Sequence, residues 1–77
     1  MSWIVRVTDS DNEPKYGISV TVQHGFFSGG IGTEYTNMDG EAEFEIMEKV
    51  LKIYVDGETV FDGEWDPEDG DTRNYEI

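Results

Sequence analysis

No cysteine occurs among the 77 residues, which excludes a disulfide framework and a thiolate zinc centre. Basic residues are scarce too: five Lys and Arg stand against 18 Asp and Glu, for a formal charge of -13. A field of that sign repels nucleic-acid phosphates and anionic lipid heads, so neither nucleic acid nor membrane is an expected partner, whereas basic proteins and cations remain. The acids run from Asp9 to Glu76, the spacing of a solvated surface rather than of an acidic tail. Their mutual repulsion should cost stability at low salt, and added salt should relieve it within a Debye length of about 8 to 10 Å. Apolar runs are too short for a transmembrane helix. The start M-S-W-I-V-R-V lacks the basic region, apolar stretch and cleavage site of a signal peptide. A cytoplasmic location is expected if Met1 is native, and the location is open if the chain is an excised domain.

Aromatic residues are plentiful by contrast, with two Trp, four Tyr and four Phe. Each buried ring removes roughly 150 to 250 Å² from water, which matters in a chain short enough to bury only about 60 to 65% of its unfolded surface. One folded domain over residues 1–77 is expected.

The hydrophobic pattern has period two almost throughout. Trp3, Val5 and Val7 alternate with Ile4, Arg6 and Thr8, and Ile18, Val20 and Val22 alternate with Ser19, Thr21 and Gln23, so both stretches read as strands. Residues 35–46, Y-T-N-M-D-G-E-A-E-F-E-I, combine a polar turn at Asp39 and Gly40 with strict alternation of Ala42, Phe44 and Ile46 against Glu41, Glu43 and Glu45. This predicts a hairpin with one face in the core and one in water. A short third strand over residues 33–36 leads into it. Strands are also predicted over residues 50–55, with Leu51, Ile53 and Val55 inward, over residues 58–65, interrupted or ended near Asp62 and Gly63, and over residues 72–77, with Arg73, Tyr75 and Ile77 on one side. Asp56 and Gly57 form a second hairpin turn, of the type that needs positive φ. Seven short strands at intervals of about ten residues predict an all-β sandwich or barrel. The rival is a helix over residues 41–52, which are rich in helix formers and repeat Phe44, Met47 and Leu51 at helical spacing. With that helix the fold becomes α+β and resembles a β-grasp.

The elements V-R-V-T-D, G-I-S-V-T-V, Y-T-N-M-D-G-E-A-E-F and L-K-I-Y-V together resemble the transthyretin-like and carboxypeptidase-regulatory-like β-sandwich modules, including the B-type repeats of bacterial adhesins. The resemblance covers residues 4–55 and implies an all-β fold, a small seven-stranded antiparallel β-sandwich, immunoglobulin- or transthyretin-like, and an accessory module that packs beside enzymes, spaces surface proteins, or binds proteins and glycans. Adhesin repeats close a Lys-to-Asn isopeptide bond between first and last strands. Here the first strand offers Arg6, whose guanidinium stays protonated, and Asn74 has no such partner. The hydrolase branch uses several histidines and a C-terminal tetrapeptide, whereas this chain has one His and ends N-Y-E-I. Neither chemistry carries over.

Candidate sites follow from single residues. His24 with Ser19, Ser28 and nearby carboxylates contains the residue types of a nucleophile and its base, but no motif fixes their geometry. No catalytic residue is assigned, and a non-enzyme without cofactor is expected. The turns at residues 9–13 and 66–71 carry oxygens suited to calcium, yet neither fits the twelve-residue calcium-loop template. They read equally as solvated turns, and no metal ligand is assigned. The glycine-rich stretch 24–32 holds Phe26, Phe27 and Ile31. Adjacent Phe26 and Phe27 cannot both point inward from an extended chain, so this stretch either plugs the end of the sandwich or forms a partner surface. Trp3 and Trp65 are either core residues or a sugar-stacking platform.

The expected function is a small acidic binding or adaptor module for a protein partner of basic character, acting through Phe26, Phe27 and Ile31 or through an open sheet edge. Residues 58–65 could also pair with a second copy. The alternative is a carbohydrate-binding accessory domain, and a third reading is an acidic mimic of nucleic acid.

Overall fold

A computed structural model describes residues 1–25 and 29–77. Seven strands and no helix occur among them: β1 (Trp3–Thr8), β2 (Ser19–His24), β3 (Gly30–Tyr35), β4 (Glu41–Phe44), β5 (Val50–Val55), β6 (Glu58–Trp65) and β7 (Thr72–Glu76). They form a three-stranded sheet ordered β4-β1-β7 and a four-stranded sheet ordered β3-β2-β5-β6. Each sheet turns its apolar alternates toward the other, as period-two patterning dictates. Trp3, Val5, Val7, Ala42 and Phe44 of the first meet Val20, Val22, Val50, Ile53 and Val55 of the second in a single buried cluster. The rival helix over residues 41–52 is replaced by β4 and the start of β5.

The four-stranded sheet is wholly antiparallel, but the three-stranded sheet is mixed. β1 runs antiparallel to β4 and parallel to β7, with Val5 opposite Arg73 and Val7 opposite Tyr75. The all-antiparallel expectation is corrected here because residues 66–71 form an arch that carries the chain from β6 in one sheet to β7 in the other. An arch, unlike a hairpin, does not force neighbours to be antiparallel. Pro67 is buried inside it, and the Gly70 and Ile4 amides donate to the Ser2 and Asp71 carbonyls, both at 2.8 Å, fixing it to the start of β1.

Residues 35–46 also differ from the predicted hairpin. The alternation of β4 is as read, with Ala42 and Phe44 buried, but β3 and β4 lie in different sheets and are not ladder partners. The turn between them is a second arch. Asn37 Oδ1 accepts from the Asp39 and Glu41 amides at 2.9 and 3.1 Å. Gly40 has φ +75°, and a Cβ there would lie 2.6 Å from the Val7 carbonyl oxygen. Only glycine satisfies both the left-handed backbone and that approach.

Asp56 and Gly57, at φ 51° and 83°, make the expected tight hairpin between β5 and β6. Within β5 the inward set is Val50, Ile53 and Val55, with Leu51 only half-buried. Against β2, Gln23 is opposite Lys52 and His24 is opposite Val50, so β5 holds one extra residue, Leu51, and such a bulge moves the first residue of the strand to the opposite face.

Candidate functional site

The two long flanks of the structure are closed differently. On one flank β6 and β7 are the edge strands of the two sheets. Phe61 and Trp65 of β6 and Tyr75 of β7 are half-buried there, and the Arg73 guanidinium lies among them. Its carbon is 4.5 Å from the centre of the Phe61 ring and 4.6 Å from that of Trp65, and its Nε donates to Tyr75 Oη at 2.9 Å. A planar, weakly hydrated cation stacked on rings seals an edge that no strand covers.

On the other flank β3 and β4 are the edge strands, and among the described residues no such plug joins them. A groove of about 650 Å³ runs between them, lined among others by Gly32, Glu34, Glu43, Phe44, Glu45 and Ile46, a size within the range of about 300 to 1,000 Å³ of ligand pockets. Phe44 and Ile46 are its apolar lining, and Glu34, Glu41, Glu43 and Glu45 are its acidic lining. Among the described residues the ion pairs are His24–Glu48 and Lys49–Asp66, and neither involves a carboxylate of the groove. Glu43 Oε2 accepts from Ser2 Oγ at 3.0 Å, a neutral donor.

Among the described residues no ion pair holds these carboxylates, and the one cation set beside them by the β1–β4 register is Arg6, opposite Glu41. The sequence marked Glu41, Glu43 and Glu45 as the wet face of a strand. That reading could not show that β4 is an edge facing another edge, because strand order is not encoded in alternation.

The residues singled out from the sequence are distributed around this frame. Ile31 lies on β3 and is 74% exposed, next to the groove, whereas Phe26 and Phe27 lie outside the described residues, as does Ser28. Trp3 is fully buried. Its ring stacks on Phe44 at 4.9 Å and meets Trp65 edge-on at 5.0 Å, and its Nε1 donates to the Ile46 carbonyl. The platform of Trp3 and Trp65 is therefore not formed: Trp3 has no surface to offer a sugar, and Trp65 is engaged by Trp3 and Arg73.

Ser19 and His24 stand at opposite ends of β2, about 17 Å apart at 3.4 Å per residue, so they cannot act on one atom. His24 Nδ1 instead lies 2.9 Å from Glu48 Oε2. In the first acidic turn Asp9 Oδ1 accepts from the Asp11 and Glu13 amides at 2.8 and 3.0 Å. In the second, Asp71 Oδ2 accepts from the Glu68 amide at 2.9 Å. These carboxylates shape their own turns, and among the described residues no three His, Asp or Glu side chains converge on a cation position. Arg6 and Asn74 are register partners on β1 and β7.

Comparison with family models and with curated proteins finds no match to this chain. Among the described residues no helix is long and apolar enough to cross a membrane.

Proposed function

We propose that the protein is a small, non-catalytic binding module that engages a basic segment of a partner protein through the groove between β3 and β4. The observation that carries this reading is the contrast between the flanks: one is sealed by Arg73 and three aromatic rings, and the other has no such seal among the described residues and is lined by Phe44, Ile46 and four glutamates. Carboxylates beside an apolar lining suit lysine or arginine, whose stems pack while their charges pair. Self-association through β6 is the weaker route, since pairing two copies along that edge gathers Glu58, Asp62 and Glu64 of both chains, all exposed, along one seam. The carbohydrate reading loses support with the burial of Trp3.

The arrangement of strands supports a transthyretin-like module over an immunoglobulin-like one. Immunoglobulin domains hold their first, second, fourth and fifth strands in one sheet, whereas here β1, β4 and β7 share a sheet. An accessory, partner-binding role is what that resemblance implies.

The test compares two charge-matched variants, E34Q/E43Q/E45Q in the groove and E58Q/D62N/E64Q on the far edge, for binding of a fluorescein-labelled lysine-rich peptide. Loss of at least tenfold in the groove variant, with the edge variant within about threefold of the parent, is expected. Equal losses would reduce the interaction to net charge and overturn the reading.

A further inference from the structure

The backbone of β3 specifies the form of the segment that fills this groove. In β2 the Ile18 carbonyl accepts from the Thr36 amide at 3.0 Å, and the Ser19 carbonyl accepts from the Asp56 amide at 2.9 Å. Even-numbered residues of β2 therefore bond toward β3 and odd-numbered ones toward β5, since bonding direction alternates along a strand. Val20, Val22 and His24 are opposite Glu34, Gly32 and Gly30. These three residues of β3 spend their amides and carbonyls on β2, and Ile31, Thr33 and Tyr35 turn theirs to the open edge. Natural edges are shortened, bulged, covered, or given proline or charged side chains, inward-pointing ones included. This one is six residues long with no Lys or Pro, and its one charge, Glu34 on the inner face, opposes another acidic strand but not a basic one.

Side-chain direction completes the template. Ile31 and Tyr35 stand on the outer face of the sheet, 74% and 66% exposed. On the inner face β3 carries two glycines and Glu34. Gly32 passes so close to Ile46 that a Cβ would lie 2.8 Å from its Cδ1, so no β3 side chain other than Glu34 stands between an added strand and the glutamates of β4. We propose that the occupant is an extended segment of a partner protein in which basic and apolar residues alternate, and that it adds to β3 as a fifth strand of the four-stranded sheet. Residues of the added strand opposite Ile31, Thr33 and Tyr35 share their outer face and are apolar. The intervening residues point into the groove toward Glu34, Glu43 and Glu45, and are basic. A second copy of this chain does not meet that description, because its charge is -13.

The inference rests on the groove reading and is tested on the wild-type protein with a labelled seven-residue peptide, K-V-K-Y-K-V-K. Two derivatives carry N-methyl groups either on the valine and tyrosine amides or on the internal lysine amides. Strand addition uses only one alternating set of amides, so one derivative should bind at least about tenfold more weakly and the other within about threefold of the parent. Loss confined to the valine and tyrosine set reports antiparallel addition, and loss confined to the lysine set reports parallel addition.

Equal tolerance or equal loss of both sets overturns strand addition. If that result accompanies weak binding by E34Q/E43Q/E45Q, the groove reading survives alone, and if the parent peptide does not bind, both fall. Thr33→Pro supplies a second arm. The Thr33 amide faces outward, so proline removes no backbone bond to β2, only the exposed hydroxyl contact of Thr33 with Thr21 at 3.0 Å, and should leave the fold intact by circular dichroism, while lowering peptide affinity at least about tenfold. A folded Thr33→Pro protein with unchanged affinity would contradict the proposal.

Discussion

Replacing Arg73 by Ala removes the seal of the β6–β7 flank, and the structure sets the size of the effect. The guanidinium lies 4.5 and 4.6 Å from the Phe61 and Trp65 ring centres, and a half-buried cation at that range gains about 1 kcal/mol from each ring. Its Nε bond to Tyr75 at 2.9 Å, with a charged donor, adds about 1.5 kcal/mol. Because these contacts share one side chain they are not strictly additive, and a net loss of about 3 kcal/mol is expected. A chain of this length has roughly 4 to 12 kcal/mol in total. The melting temperature should fall by roughly 12 to 24 °C, followed by circular dichroism.

Arg73→Ala also makes the protein one unit more negative, so long-range repulsion is a competing cause. Salt separates the two, because at 1 M the Debye length is about 3 Å and repulsion is screened, while stacking on the rings is not. The loss should therefore persist in 1 M NaCl. Arg73→Met, which keeps the apolar stem, should recover only a minor part of it. Disappearance of the Arg73→Ala loss at high salt, or full recovery by Met, would refute the view that the guanidinium itself seals this flank.

Two glycines test the account of the turns. Gly40→Ala places a Cβ 2.6 Å from the Val7 carbonyl oxygen at φ +75° and should cost about 2 to 4 kcal/mol in urea denaturation. Gly57→Ala, at φ +83° with nothing within 4 Å, meets only the backbone penalty and should cost about 1 kcal/mol. Equal costs at the two sites would mean that the close approach of the β3–β4 arch to β1 is unimportant.

The strands that alternate cleanly were readable from the residues. Trp3, Val5 and Val7, then Val20 and Val22, then Ala42 and Phe44 are buried as their spacing predicts, and Asp56 with Gly57 turns as the dipeptide demands. Three features lay beyond a period-two reading. The first half of β3 contains Gly30 and Gly32, which have no side chain to mark a face, so the strand begins earlier than the predicted 33–36. The bulge in β5 against β2 exchanges Leu51 for Val50 in the core. The arches at residues 36–40 and 66–71 use the same turn-forming residues as hairpins, so only tertiary packing decides that their strands part into separate sheets. The candidate site depends on those arches. Glu41, Glu43 and Glu45 were legible as a wet face, but the groove exists because the first arch sets β4 opposite β3.

Where a basic segment docks is the most direct question to put to this protein. Amide chemical-shift mapping during titration with K-V-K-Y-K-V-K at moderate salt answers it residue by residue. The account predicts that the largest shifts fall on Ile31, Thr33, Tyr35 and Glu43 and that β6, from Glu58 to Trp65, stays unmoved. Shifts spread over every acidic turn, or concentrated on β6, would contradict it.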